Sequence, residues 1–194
     1  MSRSRVQLSG MDATLAMIDQ LGRQGDALAR QASTEAAQSL RSTWLSQQIS
    51  SATGISQYVV QSHTSTQKAT VKYPNARVNF SGAGVLVSEY RYQQRLVSAR
   101  NNRAQIIVNW IGGSKVAAGF INPKGAGRQP LSTRNSKTTR TGRTYTYRDG
   151  ILTDAMGPSI ATAYLALPKT KVTDEAQVRL AERVTSLLNT LINE

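Results

Sequence analysis

Apolar positions fall into three regimes along the chain. From Leu8 to Ile49 they recur at three- and four-residue steps, first as Leu8, Met11, Leu15, Ile18 and Leu21. They resume as Leu28, Ala32, Ala36, Leu40, Trp44 and Leu45. Such spacing lines one face of a helix. Gly22 and Gly25 interrupt it, and each costs about 1 kcal/mol against alanine in a helix interior, so a bend or break is expected there. The second half, Asp26 to Ile49, is rich in Ala, Gln and Ser, and its seam is narrow. A narrow seam suits packing against a single neighbour, which could be another copy. Leu28, Leu40 and Trp44 are its candidate subunit-interface residues.

Past Ser50 the period changes. Ser51–Gly54 reads as a loop, and Ile55–Ser62 as either a short strand or a helical extension. Lys68–Ser81 alternates through Val71, Tyr73, Ala76, Val78 and Phe80, with a bend at Pro74, and Val85–Tyr90 alternates again. Period two predicts strand. Tyr92–Ala99 fits strand or helix equally, and Arg100–Arg103 is a polar turn. Ala104–Ile111 is apolar on both faces apart from Asn109, which predicts a central strand. Gly112-Gly113 then signals a hairpin back into a strand over Ser114–Ile121.

The third regime runs from Gly119 to Ala161 and is irregular. Three of the prolines (Pro123, Pro130, Pro158) and six glycines fall in it. Between Leu131 and Thr146 it holds Arg134, Lys137, Arg140 and Arg143, no acid and almost no apolar side chain. A segment of this kind cannot bury enough apolar surface to fold alone. It is a tether, or a surface that a neighbour orders. A short strand is expected at Arg143–Arg148. Tyr145 and Tyr147 share one of its faces, which reads as packing surface more readily than as a base-stacking platform. After Pro168 a clear helix follows, with Thr173 as N-cap, Asp174 and Glu175 in the first turn, and a buried stripe of Ala176, Leu180, Val184, Leu187, Leu188 and Leu191. The predicted architecture is α+β: a helical segment over residues 1–50, then a body over 51–194 with an antiparallel sheet, a basic arm over 119–148 and a C-terminal helix over 173–193, together forming one structural domain.

Charge sharpens this picture. The net charge is +13. Ala36–Arg148 carries 16 Lys and Arg against one acid, Glu89, whereas the two ends together hold 8 bases and 10 acids. A basic body between near-neutral ends favours phosphate or acidic protein surfaces. Arg134, Lys137, Arg140, Arg143 and Arg148 are the candidate contacts, set among Ser and Thr that also donate to phosphate without reading sequence. With no cysteine, disulfides and thiolate metal sites are ruled out, and a reducing cytoplasm is the expected place of synthesis. No apolar run approaches the ~20 residues of a membrane helix, and the basic N-terminus lacks an apolar export core.

Catalytic equipment is sparse. The single histidine, His63, lies in the polar stretch QSHTSTQ, which reads as a solvated loop. A two-carboxylate hydrolase would have to use Asp149 and Asp154, yet Arg148 would hold the first ionised and no neighbouring acid would raise either pKa. GAGRQP lacks the GxxxxGK[ST] of a phosphate loop. No enzyme activity, metal or cofactor is therefore expected, and the chemistry left is interaction.

Three segments resemble the prophage minor tail protein Z family, the tail-completion proteins of long-tailed bacteriophages. GFINPKG (Gly119–Gly125) is similar to the family's strand and turn before a basic loop. PLSTR (Pro130–Arg134) and DGILTDAMGPSIATA (Asp149–Ala163) are similar to its strand ending in Gly-Pro-Ser ahead of the C-terminal helix. ALARQASTEAAQSLRSTW (Ala27–Trp44) resembles its alanine-rich N-terminal helix. Asn135–Thr144 is longer and more basic than the family pattern. The resemblance implies a non-enzymatic virion protein of the neck or tail, assembled in the bacterial host cytoplasm. It implies a ring of about six copies acting late in assembly, when the tail becomes competent to join the filled head. The implied partners are the chain itself, the tail terminator or tail tube, the head connector and, in the channel, genomic DNA. Gly157 and Pro158, with Tyr145 and Tyr147, join the candidate subunit-interface set.

Overall fold

The computed structural model describes residues 5–7, 23–98, 103–117, 131–133 and 152–192. The chain is α+β, with antiparallel strand pairings throughout the registered sheets and a long C-terminal helix. Its contacts divide it into two compact units. The first comprises residues 1–51, 56–83 and 159–194, and the second residues 52–55 and 84–158. The N-terminal helix shares a unit with the C-terminal one, because its apolar seam is covered by that helix.

In the first unit α1 (Arg23–Ser39) and α5 (Lys169–Ile192) run antiparallel. Leu28 and Ala29 pack against Leu187 and Leu188, while Ala32 and Ala36 pack on Leu180 with Val184 and Leu187 beside them. Alanine on one side and leucine on the other lets the two helices approach closely. Polar clamps flank the seam. Arg179 donates to Ser39 Oγ and pairs with Glu175 at 2.7 Å, and Arg183 reaches Glu35 at 4.0 Å. Gly25 is buried inside α1, so the helix does not break there.

The irregularity sits further on. Leu40–Leu45 is a π-helical turn, continued by α2 (Ser46–Thr53). Its i→i+5 bonding stacks residues five apart. Leu40 and Leu45 are thereby both buried, where an α-helix would turn one of them away. The surplus carbonyls find side-chain donors. Ser42 O accepts from Ser46 Oγ at 2.6 Å and from Gln61 Nε2 at 2.9 Å.

Gly54 ends this helical run with φ 78. Ser56 then caps α3 (Gln57–Ser62), accepting from Val59 N at 3.3 Å, so the ambiguous Ile55–Ser62 is a helical turn. Next comes a three-stranded sheet in the order β1 (Arg5–Gln7), β3 (Arg77–Phe80), β2 (Thr64–Gln67). The strand expected over Lys68–Ser81 is confined to its last third. Thr70 and Tyr73 close a turn on each other, leaving Val71 84% exposed. The polar TSTQ that reads as loop is a strand instead, held because buried Thr64 pairs opposite Phe80. α1 is tied to β3 by Ser33 Oγ, which accepts from Ala76 N at 3.0 Å with both residues buried.

α4 (Ile160–Ala166) is capped by Ser159 and lays Tyr164 flat on Phe80, with centroids 4.3 Å apart. Leu167 is extended ahead of Pro168, as a residue preceding proline prefers. α5 then starts four residues before the expected cap. Thr173 lies inside it, its hydroxyl donating back to Lys169 O at 3.0 Å. At the other end the buried stripe stops short of Leu191, which is 44% exposed.

In the second unit β4 (Gly84–Leu86) pairs with β10 (Met156–Ser159), and a 3-10 turn over Val87–Glu89 takes the rest of the alternating VLVSEY. Tyr92–Ser98, undecided by pattern, is β5. It pairs with β6 (Arg103–Trp110), which pairs with β7 (Gly113–Ala117), and β6 is central as expected. Gly112 takes φ 77 in the tight turn between β6 and β7. Finally β8 (Leu131–Thr133) pairs antiparallel with β9 (Leu152–Asp154).

Candidate partner-binding surfaces

Arg134, Lys137, Arg140, Arg143 and Arg148, with Tyr145 and Tyr147, lie outside the described residues, as does the strand expected at Arg143–Arg148. What is described is the pair of strands flanking them in sequence. Leu131 pairs with Asp154, Ser132 with Thr153 and Thr133 with Leu152, so residues 134–151 are the connection of a two-stranded antiparallel unit. The segment GFINPKG (Gly119–Gly125), similar to the family's strand and turn, also falls outside the described residues.

Two of the three candidate interface residues of the helical seam are buried within the chain. Leu28 is 7% exposed and Leu40 fully buried, and Trp44 is half-buried. Gly157 and Pro158 are likewise committed to internal packing. A Cβ on Gly157 would stand 2.8 Å from Tyr90 Cε2, and the Pro158 carbonyl accepts the Tyr90 hydroxyl at 2.5 Å. Burial pushes the pKa of the Tyr90 hydroxyl well above the ordinary phenol range. The Gly-Pro-Ser element therefore works as a packing device around one tyrosine, with Ser159 capping α4.

The second unit carries most of the charge. Twelve of the Lys and Arg and three of the acids lie in it, a net of +9 out of +13. The described ion pairs, Arg179–Glu175 and Arg183–Glu35, are both in the first unit. Among the described residues, Arg91 and Arg95 have no acidic partner, and Lys115 sits over the Trp110 ring at 4.3 Å.

Both arginines belong to one sheet face. Arg91, Gln93 and Arg95 alternate along β5 and its approach, the Arg91 carbonyl accepting from Asn109 N at 2.9 Å. The register sets Gln93 beside Ile107 and Val116, and Arg95 beside Gln105. The opposite face holds Ile106, Val108 and Trp110 in the core. The outward face thus has an apolar centre, with Val116 61% exposed and Ile107 half-buried, inside a rim of arginine, amide and hydroxyl. That is the anatomy of a protein interface, apolar in the middle and polar at the rim. Sequence reasoning misses it because Tyr92–Ala99 is ambiguous by pattern. The Arg-x-Gln-x-Arg alternation is present in the sequence, but it marks a face only once Arg103–Trp110 lies beside it.

The first unit holds a cavity of ≈740 Å³, lined by His63, Asn79 and the hydroxyls of Ser62, Ser65, Ser81 and Thr162, among others. No hydrogen bond among the described residues orients the imidazole toward a lining hydroxyl, and no carboxylate lines the cavity. Among the described residues no group of three or more His, Asp or Glu could hold a metal, and no helix is long and apolar enough to cross a membrane. No protein family, no curated protein and no solved structure matches the chain.

Proposed function

We propose that this chain is a structural, non-catalytic subunit of a bacteriophage neck, forming a ring at the head-proximal end of the tail and joining tail to filled head. The observation carrying this reading is the uncompensated positive charge of the second unit. Among the described residues its exposed Arg91 and Arg95 have no acid beside them, while both described ion pairs, Arg179–Glu175 and Arg183–Glu35, lie in the first unit. A fold that leaves one unit at +9 relies on an anionic counterpart outside the chain, and a subunit between tail tube, head connector and packaged genome has one. The resemblance of the Gly119–Ala163 segments to tail-completion proteins supplies the setting. Deleting the chain from the phage or prophage that encodes it is expected to leave filled heads and finished tails unjoined, and adding purified protein to the extract restores joining. Normal infectious particles from the deletion would overturn the reading.

The same charge favours a second reading, sequence-independent nucleic-acid binding through Arg134, Lys137, Arg140 and Arg143. It predicts affinity for duplex DNA that falls steeply with salt, the log–log slope flattening by about one for each phosphate no longer neutralised. Unchanged affinity and slope after replacing all four by alanine would remove this reading.

A further inference from the structure

We infer that the outward face of the β5–β6–β7 sheet docks on the outward face of α5 of a second copy of this chain, in a head-to-tail contact. The inference rests on the reading of the chain as a ring subunit and names the surfaces that would join one copy to the next. On the sheet, Arg91 and Arg95 stand four strand residues apart, about 13 Å, with the register pair Ile107 and Val116 between them in the neighbouring strands. On α5, Asp174, Val178 and Glu182 follow one another at four-residue steps, and all three are exposed, Val178 by 53%. They come two residues after Val172, Ala176 and Leu180, which are buried, so they occupy the opposite side of the helix. Asp174 and Glu182 are separated by about 12 Å of helix rise. Basic–apolar–basic thus meets acidic–apolar–acidic at matching length. Neither acid has a cationic partner among the described ion pairs, and neither arginine an acidic one.

Two different faces that complement each other give a heterologous contact, which closes into a ring or runs on as a filament. The sheet patch covers roughly 200 Å² from its strand and residue spacings, against the ~800 Å² per partner of a stable interface. A single contact is therefore weak, and closure of several is what gives it strength.

The test is sedimentation velocity of the full chain over a concentration series. Wild type is expected to associate as concentration rises. Arg91→Glu with Arg95→Glu, or Asp174→Lys with Glu182→Lys, is expected to raise the midpoint concentration at least about tenfold, since each turns attraction into repulsion. Circular dichroism confirms that both variants are folded. Mixed one to one, the two variants should regain association, alternating along the assembly. Every junction between unlike variants joins opposite charges, either two native faces or two reversed ones, whereas every junction between like variants joins equal charges. Association of either variant alone at the wild-type midpoint, or a mixture that stays monomeric, overturns the contact. So does a result in which the sheet variant loses binding to a duplex of about 30 base pairs while self-association is untouched; the face would then serve nucleic acid. A neck that contains the chain together with monomeric mixtures would remove this contact and leave the neck reading standing, whereas associating mixtures with a neck lacking the chain would do the reverse.

Discussion

Single residues in the second unit show how closely its backbone is packed. Gly54 has φ 78, and a Cβ there would lie 2.5 Å from Arg91 Cβ and 2.8 Å from Arg91 N. Neither the conformation nor the space accepts a side chain. Gly54→Ala is expected to cost roughly 2–3 kcal/mol, read as a lowered urea midpoint at unchanged slope; a midpoint within error of wild type would contradict this. Tyr90 makes a second prediction. Burial raises its pKa, so the folded state keeps the phenolic proton after the unfolded chain has released it. Its contribution is full below the unfolded value of ~10 and is lost as pH rises above it. Tyr90→Phe is expected to lose about 1 kcal/mol at neutral pH with the hydrogen bond to Pro158 and to flatten the alkaline fall in stability. An unchanged alkaline fall would place its cause elsewhere, with Tyr164, whose pKa burial also raises, as the next residue to change.

At the scale of elements, the seam between α1 and α5 holds the first unit together. Leu180 is 5% exposed between Ala32 and Ala36. Leu180→Ala is expected to cost roughly 2–5 kcal/mol, whereas Val178→Ala, on the outward side, should stay within about 0.5 kcal/mol in the monomer. Thermal unfolding at low protein concentration separates the two; equal losses would mean that the outward face is also packed. Much of this element is legible as pattern. The helical stripe, the central strand Arg103–Trp110 and the C-terminal helix all follow from period. The π turn has a sequence signal too. The apolar steps Ala36, Leu40, Leu45, Ile49 run four, five, four, and the five is what a π turn accommodates. Thr64–Gln67 is not legible, because its strand character comes from pairing with Arg77–Phe80 and not from its own polar sequence. The candidate sheet face is illegible for a related reason. Alternation in Tyr92–Ser98 has meaning only once Arg103–Trp110 is known to lie beside it.

For the whole molecule, charge is the property on which the proposed function rests. Pattern alone puts the basic excess in the middle of the chain, and the fold assigns most of it to one unit. What periodicity could not show is that the narrow helical seam is filled by the chain's own C-terminal helix. The central claim, a ring subunit at the neck, is tested most directly by imaging the virion of the phage or prophage that encodes the chain. Electron cryo-microscopy of the neck, averaged with imposed and then relaxed symmetry, is expected to show a ring at the head-proximal end of the tail into which both units fit, with the basic unit against the connector, tube or DNA. Joined, infectious virions whose neck has no density for this chain would contradict the account.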